Sequence, residues 1–142
     1  MIKAIGPSDL GRPECVPTEL MIEVQDRPEQ GPVFLGIISN TAPWTYLGSR
    51  EVNATPQAAF DTGLDVMALR TMSSVGTMTT IGKMLSTRHG KVQGRNILSF
   101  HDQPWVTLRA TRPVALQIDG EYVGEREDVT FRSVPAALRV VA

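Results

Sequence analysis

The chain has 142 residues, a formal net charge of -1 and 20% charged residues, which is one domain's length and lacks the basic surplus that a nucleic-acid backbone demands. Its lone Cys15 excludes an internal disulfide, and His89 and His101 stand apart in segments that read as loops, so no zinc site can be assembled. No apolar run reaches a membrane span, and the N-terminus lacks a basic region followed by an apolar core, so the expected setting is a reducing cytoplasm, with contact at a membrane surface left open.

In chain order, residues 1–18 are rich in Pro and Gly without a periodic apolar face and read as an irregular lead-in to a domain over 19–142. "ELMIEVQ" alternates as a half-covered strand does. "GPVFLGIISN" is a continuous apolar run bounded by turn residues and reads as one fully covered strand, and "GLDVMALR" alternates again.

The segment 71–88 reads as a helix. Met72, Val75, Met78, Ile81 and Leu85 recur every three or four residues, and Gly90 follows the basic Arg88 as a stop. Such a stripe is ordinarily core. Its methionines Met72, Met78 and Met84 also suit an irregular apolar surface such as a lipid chain.

Strand signals resume with "PWVTLRAT", "VALQID", "EYVGE", "DVTFRS" and "ALRVVA". Asp119-Gly120 between two of them is a tight hairpin turn. Short strands at regular spacing predict a mainly β, two-sheet β-sandwich with one inserted helix around 71–88.

Candidate chemistry rests on carboxylates. Asp61 lies in a loop with Thr62 and Gly63, where it either caps a turn or joins backbone carbonyl groups around a hard cation such as Mg²⁺. Glu121 follows the hairpin turn, where hairpin ends are wet in any case. "SFHD" places Ser99, His101 and Asp102 only in sequence, which is not how a catalytic triad is arranged. There is neither G-x-x-x-x-G-K nor G-x-G-x-x-G, so no phosphate cradle is visible.

Two distant segments acquire meaning together. "ISNTAPWTYLGSREVNATPQAAFDTGLDVMAL", followed later by "VALQIDGEYVGE" and "TFRSVPAALRVV", resembles the C-terminal half of the bacterial diacylglycerol kinases. That family includes sphingosine-kinase-like lipid kinases and is related to NAD kinase; the likeness is greatest to actinobacterial members and covers residues 20–142. It implies a C-terminal β-sandwich that completes an active site with an N-terminal lobe, which binds ATP through G-G-D-G-T. No G-G-D-G-T occurs in this chain.

The resemblance assigns Glu121 the role of general base toward a lipid hydroxyl. It also gives Asp61, with the backbone oxygens of Ala58 and Gly63, a structural Mg²⁺. Asn40 matches the family's strand-end asparagine, which either contacts the cleft or simply ends its strand, and Asp65 matches a later aspartate near the substrate. Phe60 and Thr62 stand where the family has an aspartate and a glycine, so the loop is less acidic here. The implied partners are the ATP-binding lobe and a lipid alcohol at a membrane surface, not nucleic acid. Strand edges left open by an absent lobe would also favour a homodimer. The other reading is a lipid-binding or regulatory sandwich that stands alone without catalysis.

Overall fold

In the computed structural model, residues 2–5, 19–86 and 92–137 are described, the first four as backbone alone. Their strands are β1 (Ile2–Ile5), β2 (Leu20–Val24), β3 (Gln30–Val33), β4 (Leu35–Ser39), β5 (Thr45–Leu47), β6 (Arg50–Val52), β7 (Leu64–Leu69), β8 (Ile97–Gln103), β9 (Trp105–Ile118) and β10 (Glu121–Arg132). One helix, α1 (Ser74–Met84), lies between β7 and β8. Hydrogen bonding runs in the order β3-β2-β9-β1-β4-β7-β8, with β10 on β9 and a separate β5–β6 hairpin.

The sandwich arises because β9 serves both layers. Its first part pairs with β2, from Val106 opposite Val24 to Ala110 opposite Leu20; its last part pairs with β1, from Ala115 opposite Ile5 to Ile118 opposite Ile2. β10 follows β9 throughout, with irregular register at Tyr122/Gly124 and Arg126/Asp128. Such bulges bend a strand and increase its twist, and here they let the ribbon pass from one layer to the other.

Between the layers, Ile22, Val24, Val33, Val106 and Leu108 from the first meet Ile38, Val66, Ala68 and Phe100 from the second. A second apolar cluster forms on the outer face of the β4–β7 layer, where Ile37, Met67 and Leu69 meet Val52, Ala54, Met84 and Val92. The hairpin β5–β6 and α1 therefore make a partial third layer. The Asn53 amide donates to the Met84 carbonyl at 2.8 Å, tying the hairpin's exit to the helix end.

Several sequence expectations are corrected. Ile2–Ile5 form a strand between β4 and β9 rather than part of an irregular lead-in, because two neighbouring strands supply the backbone partners that so short a segment cannot advertise. Residues 6–18 lie outside the described residues. The run over 31–40 is not one strand: β3 pairs with β2 and β4 with β1 and β7, with Phe34 at the corner donating its amide to the Leu69 carbonyl at 2.7 Å. Both arms of this corner face the same core, so the apolar run is unbroken.

The late strand signals also merge. "PWVTLRAT" and "VALQID" belong to β9, and "EYVGE" and "DVTFRS" to β10, while most of "ALRVVA" lies outside the described residues. β8, with His101 inside it, occupies a stretch that reads as loop.

The helix is shorter than 71–88 and turned over. It begins at the Ser73 cap, whose hydroxyl accepts from the Gly76 amide, and ends at Leu85; the expected stop at Gly90 lies outside the described residues. Thr80 and Met84 are buried, whereas Met72, Val75, Met78 and Ile81 are exposed.

Candidate functional site

One end of the β4–β7–β8 layer gathers four chain segments. β4 finishes at Ser39 and releases Asn40 to solvent. The loop carrying Asp61 leads into β7, β8 passes through Pro104 into β9, and β10 finishes at Arg132. These segments surround a cavity of about 650 Å³, whose polar lining comes from Asn40, Asp61, Asp102 and Arg132 and whose apolar lining includes Phe60 and Val134. Phe60 is 84% exposed and Val134 67%, so the mouth presents apolar side chains beside two carboxylates and a guanidinium.

The loop before β7 is closed by local bonds. The Thr62 hydroxyl donates to the Ala59 carbonyl at 3.0 Å, and the Thr62 amide reaches the same oxygen at 3.2 Å. Ala58 donates its amide to the Thr55 carbonyl at 3.1 Å. This holds Asp61 outward and exposed, in a turn that Thr62 makes without the glycine of the resembled family.

Gly63 is required by close approach. A Cβ there would stand 2.6 Å from the Gln103 carbonyl oxygen. Its amide donates to Asp102 Oδ1 at 2.7 Å, and Asp102 itself adopts a left-handed backbone with φ of 57°, a conformation that aspartate tolerates better than most residues.

Behind this loop lies a carboxylate–imidazole contact that sequence reasoning missed. Asp65 is 2% exposed; its Oδ1 accepts the Asp102 amide at 3.0 Å, and His101 Nδ1 lies 2.8 and 3.0 Å from its two oxygens. A carboxylate can only accept, so Nδ1 carries the proton in this pair. Asp65 is thus turned into the protein, where it and Asp102 clamp the start of β7 to the end of β8. The available signal was the alternation of Ile97, Ser99 and His101 against Leu98 and Phe100, which marks a strand and places His101 opposite a neighbour.

Asn40, at the end of β4, is brought to one cavity with Asp61 and Gly63 of the loop before β7, 23 residues or fewer apart in sequence. Ala58 is buried beneath the loop, and Asp65 is buried too; neither lines the cavity. Glu121 is exposed at the turn of the β9–β10 hairpin and also does not line it. The register fixes its distance: Glu121 is opposite Ile118, Ile118 opposite Ile2, and Ile2 opposite Ile38. Glu121 and Asn40 therefore lie toward the same end of the layer: about 14 Å, three strand spacings of roughly 4.8 Å, separates Glu121 from Ile38, and Asn40 lies two residues beyond Ile38.

Asp61 and the nearby backbone carbonyl groups are oxygen donors of the type a hard divalent cation takes. Among the described residues no three His, Cys, Asp or Glu side chains group as a metal site, so backbone oxygens would have to supply part of any coordination. Arg132 lines the same cavity and adds a cationic group to it.

No family model matches this chain, and no curated protein sequence matches it. Among solved structures it is similar to a "putative diacylglycerol kinase" from Bacillus anthracis str. Sterne, with a TM-score of 0.54 and 15% identity over 84% of this chain and 42% of that one. A second crystal structure, of a diacylglycerol kinase from the same organism, aligns with a TM-score of 0.48 and 15% identity over 84% of this chain and 44% of that one. The chain thus spans less than half the length of the solved proteins it matches, and the first likeness shows a shared fold.

Proposed function

We propose that this chain is the C-terminal, substrate-side β-sandwich of a diacylglycerol-kinase-like lipid kinase. The observation that carries the reading is the convergence of Asn40, Asp61 and Gly63, residues matched to that family from the sequence, on one cavity in a fold of the same kind. Exposed Phe60 and Val134 at its mouth suit an amphiphile, whose apolar chain needs a dry wall beside a polar head.

In this reading Glu121 is the general base. Its carboxylate takes the proton from the lipid hydroxyl while that oxygen bonds to the γ-phosphorus of ATP and the bond to ADP breaks. The rigid hairpin turn holds Glu121 in place, and ATP is bound mainly by an N-terminal lobe carrying G-G-D-G-T. Asp61 with the carbonyl oxygens of Ala58 and Gly63 would hold Mg²⁺, which would brace the loop. The chain alone, without a phosphate clamp, is inactive.

The test is to fuse the chain to a G-G-D-G-T lobe and follow labelled phosphate transfer to diacylglycerol, a sphingoid base and another long-chain alcohol. Glu121→Gln in the fusion is expected to lower kcat by about 100-fold or more with melting unchanged. Turnover by the isolated chain, or full activity of the variant, would overturn this assignment. The exposure of Glu121 and its position outside the cavity favour one other reading, a lipid-binding module without catalysis. Lipid binding by a fusion that transfers no phosphate to any of the three would select it.

A further inference from the structure

α1 turns Thr80 and Met84 inward and leaves its larger apolar stripe outside. Met72, Val75, Met78 and Ile81 are 61%, 77%, 68% and 42% exposed, while Thr80 is 3% exposed. Thr80 can be buried because its hydroxyl donates to the Gly76 carbonyl at 2.9 Å, as the exposed Thr79 hydroxyl does at 2.8 Å. A surface helix ordinarily turns its apolar stripe to the core. A contiguous stripe left outside marks an interaction surface.

Charge selects the occupant. Residues 66–101 contain Arg70, Lys83, Arg88, Lys91 and Arg95 and no acidic residue, although the chain holds 15 Asp and Glu against 14 Lys and Arg. Two of these cations flank the helix. Lys83 is exposed near its end and donates to the Gln93 carbonyl. Arg95, also exposed, follows Gly94, which packs on Lys83, and precedes Asn96, which is bonded to Thr71 at 2.7 and 2.8 Å. A second copy would bring these cations together and be repelled, whereas anionic head groups would be drawn to them.

We propose that the outward face of α1 enters the surface of an anionic lipid bilayer, with Met72, Val75, Met78 and Ile81 among the upper acyl chains and Lys83 and Arg95 at the head groups. No helix among the described residues is long and apolar enough to cross a membrane; α1 would lie in the plane of the interface. The inference deepens the lipid-kinase reading and rests on it, since a domain that presents a lipid alcohol must meet the bilayer in which that alcohol is dissolved.

Sedimentation of the purified chain with vesicles tests the proposal. Vesicles of phosphatidylcholine with about 30% phosphatidylglycerol should bind it about tenfold or more tightly than phosphatidylcholine alone, and added salt should erode the difference. The triple variant Val75→Ser, Met78→Ser, Ile81→Ser should melt as the parent does and bind the anionic vesicles about tenfold or more weakly; Lys83→Gln with Arg95→Gln should cost about tenfold.

Absence of parent binding, or equal binding by the triple variant, overturns the proposal. Self-association of the parent that the triple variant abolishes overturns it too, by giving the face to a second copy. The lobe fusion separates the two readings. Phosphate transfer to a water-soluble short-chain diacylglycerol should survive the triple variant, while transfer to the same lipid in anionic vesicles should fall about tenfold. A fusion that phosphorylates neither substrate defeats the kinase reading and leaves sedimentation to decide the docking face.

Discussion

Strand β7 and helix α1 are neighbours in sequence, both dense in apolar residues, and they meet opposite fates. All six residues of β7 are buried, Asp65 included, because the β2–β3–β9 layer covers Val66 and Ala68 while the outer layer covers Met67 and Leu69. α1 is covered along one strip only, and that strip holds Thr80 and Met84 rather than its larger stripe. Apolar residues become core only where another element lies over them. The rotation of α1 is set by its ends: Asn96 grips Thr71 before the helix, and Met84 accepts the Asn53 amide at its close.

The sharpest test of this contrast is Met67→Ala. Met67 is 2% exposed between the sheet and the outer layer, and its truncation should cost about 3 kcal/mol in denaturant unfolding at unchanged m-value, through lost burial and a residual cavity. Asp65→Ala should cost less, about 2 kcal/mol. It removes a buried acceptor of two bonds but leaves His101, whose side chain is 35% exposed, able to regain water. Calorimetry of this variant should show a lower melting temperature together with faster hydrogen exchange at the Asp102 amide.

Smaller effects are expected on the helix. Ser73→Ala removes the cap on Gly76 and should cost about 1 kcal/mol, read as a lower unfolding midpoint. Met78→Ser, on the outward stripe, should change stability by less than about 0.5 kcal/mol. A loss at Met78 equal to that at Met67 would mean the stripe is covered, and the contrast between strand and helix would collapse.

Much of the frame was legible. β2 follows from period-2 alternation; β7 was legible as a strand, but it is buried on both faces rather than alternating, and the hairpin turn at Asp119-Gly120 has the positive φ angles, 51° and 89°, that this dipeptide favours. The short hairpin β5–β6 carried no readable pattern, since its strands have three residues each and only Val52 of them is buried.

The candidate site was legible in part. Asn40, Asp61 and Gly63 were singled out and do meet at one cavity, but Asp102 and Arg132, which share it, were not. Their contribution depends on where β8 and β10 end, which is a matter of strand pairing across the sheet and leaves no local mark. His101 was set aside for the same reason: its partner Asp65 is 36 residues away, and only the β7–β8 register brings them together.

By itself the sequence determined the mainly β character, the hairpin turn, the presence of a helix after β7 and the loop that exposes Asp61, because each depends on backbone preferences and side-chain period within a few residues. Tertiary structure alone decided that one apolar run becomes two strands in two layers, that Asp65 is buried against His101, and that α1 shows Val75, Met78 and Ile81 to solvent while burying Met84. In each case the deciding quantity is which surface lies opposite, and residues far away in the chain supply that surface.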